Sequence, residues 1–233
     1  MLDTFHTLWV AWSDDAGSTW TTQMAFDGGL GHDASTPFAA FTLDDQGNPY
    51  IAFADNLGRE YDMYVVASFD GGKTWEGGNG PLGSLAGAGK PYKVNADSGT
   101  HFFPTIAAGD PGHVDVAYLA TPATISTLPN GKAAPGGGAG DSWYLEAAQT
   151  LNLRATHPRW SVSRVTPRPV HVGDICNLGI FCVGPSSNRD LLDFISVAVD
   201  PRTGLMHIAY TNDNGTHEID AANQVGGSSV LAR

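Results

Sequence analysis

SDDAGSTW at 13–20 returns as SFDGGKTW at 68–75. Both copies read Ser-x-Asp-x-Gly-x-Thr-Trp: Ser13, Asp15, Gly17, Thr19 and Trp20, then Ser68, Asp70, Gly72, Thr74 and Trp75. Self-similarity of this kind marks stacked supersecondary units. LWVAW precedes the first copy and MYVVA the second, so the unit reads strand, eight-residue hairpin, strand. The residue types suit that turn. Aspartate accepts backbone N–H groups as Asx-type turns do. Glycine supplies a backbone conformation closed to residues with a Cβ. The Ser and Thr hydroxyls tie the arms together, and Trp20 and Trp75 are expected to bury a ring beneath the turn. The carboxylates are thus expected to hold the hairpin rather than to catalyse.

A second pattern recurs at 37–55 (PFAAFTLDDQGNPYIAFAD), 104–119 (PTIAAGDPGHVDVAYL) and 193–212 (DFISVAVDPRTGLMHIAYTN). Each is an apolar run, a turn with Asp and Gly, and a run ending Ala-aromatic: Ala52-Phe53, Ala117-Tyr118, Ala209-Tyr210. Runs apolar at nearly every position suit strands covered on both faces, and the turns suit tight hairpins.

The Ser-x-Asp-x-Gly-x-Thr-Trp pattern resembles the Asp-box, or BNR repeat, of sialidase-like β-propellers. That resemblance implies an all-β fold: a β-propeller of four-stranded antiparallel blades, with the box joining strands three and four. Residues 37–79 would make one blade, with strands near 37–43, 49–54, 62–68 and 75–77. Residues 104–165 would make another, with strands three and four near 142–149 and 160–165. There LNLRATHPRW retains only Thr156 and Trp160 of the box. Residues 5–26 and 193–231 would be partial blades. Two full and two partial blades fall short of the four to eight that a closed propeller needs. The single domain over 1–233 is therefore expected to be the C-terminal part of a longer propeller. Missing blades, or a second chain, would complete the incomplete ring.

Composition narrows the partners. The chain has 233 residues, 15% of them charged, and a net charge of −12. Such acidity disfavours nucleic acid and anionic lipid. No apolar run is long enough for a membrane span. The opening MLDTFHTLWVAW lacks the basic segment of a secretory signal. Cys176 and Cys182, with five residues between them, lack CxxC spacing and a second pair, so a small-loop disulfide is favoured over free thiols or zinc. A disulfide implies an oxidising, extracellular or cell-surface location, toward which the Asp-box resemblance also leans.

In the implied topology, the loops leading into strand one and those from strand two to three share one rim. Three stretches bring His32, Asp33, Asp97, His101, Arg189, Asp190 and Asp193 there. The two-to-three loops add Asp55, Arg59, Glu60 and Tyr61, then Asp213, His217 and Glu218. The 166–192 loop adds His171 and Asp174. Arg189 and Asp193 form the candidate catalytic pair, or else a salt bridge bracing the 186–192 turn. His101, Asp55, Arg59 and Glu60 are candidate ligand-binding residues. Guanidinium forks suit a carboxylate substrate. The sialidase resemblance implies three arginines, an Asp acid/base and a Tyr–Glu nucleophile pair; no such arginine triad assembles in this sequence. The expected partner is a glycan or glycoconjugate, acted on as by an exo-glycosidase or bound without catalysis by a binding or cell-surface module. No cofactor and no metal are expected, although the oxygen-rich TNDNGTHEID at 211–220 leaves a structural Ca²⁺ open; it lacks EF-hand spacing.

Overall fold

Apolar runs punctuated by Asp/Gly turns fold into antiparallel strands joined in sequence. The computed structural model describes residues 5–30, 32–34, 38–57, 60–76, 91–125, 141–176, 188–191, 194–215 and 217–231. Among these the chain is all-β, with no helix. β1 (Thr7–Trp12) and β2 (Thr21–Asp27) form a two-stranded sheet. β3 (Ala40–Leu43), β4 (Pro49–Asp55), β5 (Asp62–Ala67) and β6 (Tyr92–Lys93) form the second sheet, in that order. β7 (Thr100–Ala108), β8 (Val114–Thr121), β9 (Ser142–Thr150) and β10 (Ser161–Arg164) form the third, and β11 (His171–Val172) also pairs with β9. β12 (Ile195–Val199), β13 (Met206–Asn212) and β14 (Glu218–Asn223) form the fourth.

Strand alternation sorts the core into seams. In the second sheet, Tyr50, Ala52, Ala54, Met63 and Val65 share a core with Phe102, Val116, Tyr118, Trp143 and Leu145 of the third. The opposite face, with Ile51, Phe53, Tyr64, Val66 and Trp75, packs on Ala25 and Phe26 of the first. β4, β5 and β8 are buried along their whole length, as strands covered on both faces should be. β3 and β12 are only half-buried, contrary to the expectation from their apolar runs, and Phe41 and Leu43 face outward.

Opposite the rim described below, turn meets turn. Asp45 N–H donates to Gly109 O at 3.0 Å, Asp110 N–H to Val230 O at 2.9 Å, and Val230 N–H to Gly204 O at 3.0 Å. These bonds lock together the first hairpins of three sheets.

Both sequence repeats form the expected turn, with the same bonds. Gly17 and Gly72 adopt φ of 89° and 88°, a region open to glycine. Ser13 Oγ and Ser68 Oγ accept the N–H of Gly17 and Gly72 at 2.7 and 2.8 Å. The indole N–H of Trp20 and Trp75 donates to Gly17 O and Gly72 O at 3.1 and 3.0 Å.

Three expectations need correction. Trp75 is buried, at 5% exposed, but Trp20 is 63% exposed. The two-stranded first sheet offers no surface beneath Trp20, whereas Trp75 enters the core shared by the first two sheets. Secondly, the strand expected near 75–77 contributes a single bridge, Glu76 to Ala67. Pairing resumes only at Tyr92, opposite Val65. Residues 77–90, between these two positions, lie outside the described residues. Thirdly, the degenerate box is carried by Thr150 and Asn152 rather than Thr156. Thr150 Oγ1 donates to Asn152 Oδ1 at 3.0 Å, and Arg159 N–H, just before Trp160, donates to the same Oδ1 at 3.0 Å. This is the Ser–Asp–Thr-Trp arrangement with a lengthened loop, hidden from residue matching because Thr and Asn replace Ser and Asp.

Candidate functional site

Histidine–aspartate pairs recur where the sheets meet, on the rim that gathers the starts of β5, β7 and β9 and the ends of β4, β8 and β13. Between the first two sheets, His32 Nδ1 lies 3.2 Å from Asp55 Oδ1. Between the second and third, His101 Nε2 lies 3.2 Å from Asp97 Oδ1. Between the third and fourth, His171 Nδ1 lies 2.7 Å from Asp213 Oδ2.

At the first seam Asp55 is fully buried, and Asp33 nearly so. Burial pushes the Asp55 carboxyl above the ordinary range; the His32 hydrogen bond and charge oppose this, and the charge of Asp33 adds to it. The Asp55 hydrogen bond in turn raises His32. Asp62, opposite Asp55 in the ladder, is neutralised by Lys93 Nζ at 2.7 Å and accepts Asn95 Nδ2 at 2.9 Å.

The second seam is the richest. The His101 backbone N–H donates to Tyr61 O at 2.9 Å, and its ring Nδ1 lies 3.2 Å from the same oxygen. Glu60 braces the adjoining loop by accepting Gly99 N–H at 2.9 Å and the Thr124 hydroxyl at 3.2 Å. Beneath His101 stand Tyr118 and Glu146, opposite one another in the β8–β9 ladder. Tyr118 sets its ring edge-on to His101, with centroids 5.6 Å apart. Arg164 Nε reaches Glu146 Oε1 at 3.6 Å and lays its guanidinium on Tyr144. The His101 hydrogen bond holds Asp97 below the usual carboxylate range against the effect of its partial burial. Glu146 is raised by burial and by Asp97, with His101 and Arg164 opposing. Tyr118 is raised by burial and then by Glu146 and Asp97, so its phenol stays protonated. A β-bulge follows at Phe102–Thr105, with Phe103 at φ 56°. Such strained bulges re-aim strands beside sites.

The expected site residues fall out unevenly. The structure assembles His101 with Asp97, Glu60 and Tyr61, and Asp55 with His32. Arg189 is exposed on the segment 188–191, where Asn188 O accepts Cys176 N–H at 2.9 Å. Arg59, Asp193 and Cys182 lie outside the described residues. Cys176 is disulfide-bonded, and the chain has two cysteines. The 211–220 segment spends its oxygens locally: Asn212 Nδ2 donates to Asp220 Oδ2 at 2.8 Å, and Asp213 holds His171. Tyr118 and Glu146 were missed because both sit inside strands; their only sequence signal is a carboxylate and a phenol within apolar runs. Arg154 lies over the Phe69 ring at 4.6 Å, away from the rim. Among the described residues no three arginines converge. A separate wedge of about 410 Å³ opens between β9–β10 and β13–β14, lined by Gln149, Ser163, Met206 and Ile208 among others.

No family model matches this chain, and no curated protein matches it. Among solved structures it is similar to an intramolecular trans-sialidase from Ruminococcus gnavus, determined in complex with oseltamivir carboxylate. The match is 15% identical with a TM-score of 0.37, and covers 93% of this chain and 37% of that one. The chain thus spans little more than a third of that protein's length.

Proposed function

We propose that this chain is part of an extracellular, sialidase-like β-propeller directed at glycans. The observation that carries the reading is the pair of hairpins at 13–20 and 68–75. They share one hydrogen-bond pattern, and each closes a strand pair in successive sheets. Sheets built as sequential antiparallel meanders, packed face to face through alternating residues, agree with blades of such a propeller. On this reading the sheets are two full blades and two partial ones. Further blades of a longer chain, or a second chain, complete the ring. The disulfide at Cys176 suits an extracellular or cell-surface protein.

The glycan would meet the rim carrying the His–Asp pairs, with Arg189, Asp193 and Arg59 as its anionic and cationic contacts. A non-catalytic, glycan- or protein-binding propeller is the second reading, and one observation favours it. The Tyr118–Glu146 pair is enclosed, with Glu146 4% exposed, and no arginine triad faces it among the described residues. The full-length protein should be tested for binding on a glycan array and for hydrolysis of a sialoside and neutral glycosides. Hydrolysis that Arg189→Ala or Asp193→Ala abolishes supports an exo-glycosidase. Binding without hydrolysis supports the second reading, and neither activity defeats both.

A further inference from the structure

We propose that Asp97, His101 and Glu146 form a binding site for a divalent transition-metal cation of the zinc type. One ligand atom from each lies within 4.8 Å of the other two. The donor set of one imidazole nitrogen and two carboxylate oxygens suits zinc, and the two carboxylates balance its charge.

The hydrogen bonding of His101 is the first support. Nδ1 lies 3.2 Å from Tyr61 O, a carbonyl that can only accept, so Nδ1 carries a proton. With Nδ1 engaged by that carbonyl, Nε2 is the ring nitrogen left to face Asp97 Oδ1, 3.2 Å away. An imidazole nitrogen and a carboxylate oxygen this close are held together by a shared proton or by a cation. A 3.2 Å separation is what two donors, each about 2.1 Å from one ion, span at an angle of roughly 100°. An Nδ1–H held by a backbone carbonyl is also the outer-shell contact that orients metal-binding histidines.

The second, independent support is a pair of buried polar atoms. Glu146 Oε2 and Tyr118 Oη are buried and neither completes a well-aligned hydrogen bond, although Tyr118 lies close enough to Glu146 for that carboxylate to raise its phenol. Buried polar atoms are nearly always paired. Both residues lie beneath His101, within reach of the Asp97 charge. A cation on Glu146 would satisfy the carboxylate and leave a position for the Tyr118 oxygen or a water. Access is from the rim, where the Asp97 side chain is 46% exposed. The competing arrangement is a doubly protonated His101 bridging Tyr61 and Asp97 with no metal.

The test is calorimetric titration of chelator-treated full-length protein with zinc chloride, beside thermal melting with and without the metal. Asp97→Asn, on the exposed side, and Glu146→Gln, of the same shape, serve as variants. Circular dichroism checks that each is folded. One zinc per chain, at least tenfold weaker in both variants, with a zinc-dependent rise in melting temperature that either variant abolishes, is the expected result. No stoichiometric uptake, or uptake unchanged in a folded Asp97→Asn, overturns the site. So does a response to calcium but not to zinc.

Discussion

Asp15 and Asp70 make the same bonds 55 positions apart: Oδ2 accepts the Thr19 hydroxyl in one and the Thr74 hydroxyl in the other, each at 2.6 Å. Each Oδ1 also accepts a backbone N–H, from Thr19 at 2.7 Å and from Thr74 at 2.9 Å. The two carboxylates are spent on their own loops. Below the turns the symmetry ends. Gly72 approaches the ring of Trp12 and Trp75 is enclosed, while Trp20 lies in solvent. Trp75→Ala is therefore expected to cost about 3–5 kcal/mol, the range for a buried aromatic. Trp20→Ala is expected to cost under about 1 kcal/mol. Urea midpoints of the two variants check this; equal losses would contradict it.

The same bonds predict behaviour in acid. Hydrogen bonds from the Thr19 side chain and backbone and from Ser13 hold Asp15 at about 2. At Asp70 slight burial pulls upward, but bonds from Thr74, Ser68 and Lys73 outweigh it and leave the group at about 2. A folded value below the unfolded one stabilises the fold above about pH 4 and is lost as pH falls toward 2. Asp70→Asn should flatten the loss of stability between pH 4 and 2, followed by urea denaturation at each pH. An unchanged slope would show that the carboxylate is not tied into the loop.

Asp115 carries the opposite sign. It is fully buried on β8, with one oxygen accepting Gln149 Nε2 at 2.8 Å and the other unpartnered. Burial pushes it up to about 6, with the Gln149 bond opposing. The folded state then holds its proton more tightly than the unfolded chain, so stability falls as pH rises from about 4 to 6, by up to roughly 3 kcal/mol. Asp115→Asn keeps the acceptor for Gln149 and has no charge to bury. It should be more stable than wild type at pH 7 and similar at pH 4, read from denaturant midpoints.

Gly99 holds the loop that carries Asp97 to His101. It has φ of 120°, and a Cβ there would overlap the carbonyl oxygen of Thr121 and the backbone of Pro122. Gly99→Ala combines a disfavoured backbone with a backbone collision, so a loss of about 2 kcal/mol or more is expected. Gly29→Ala shares the positive φ at 81° but has open space around the added carbon, and should cost less. Thermal melting of the pair separates collision from backbone strain.

The amino-acid sequence carries the hairpins at 13–20 and 68–75 within itself, because the side-chain bonds that shape them join residues no more than four apart. It also determined the runs that became β4, β8 and β13, since Asp/Gly turns and unbroken apolar stretches are local signals. Trp20 could not be read this way: its burial depends on what lies beneath the turn, and its sheet has two strands. The split fourth strand depends on a partner in β5 that recaptures the chain at Tyr92. The polar cluster exists only once the sheets pack against one another. His32 meets Asp55 across 23 positions and His171 meets Asp213 across 42. Tyr118 faces Glu146 because the β8–β9 register sets them opposite. Such pairs are fixed by sheet packing and strand register, which add up over the whole chain and leave no mark in any short stretch of it.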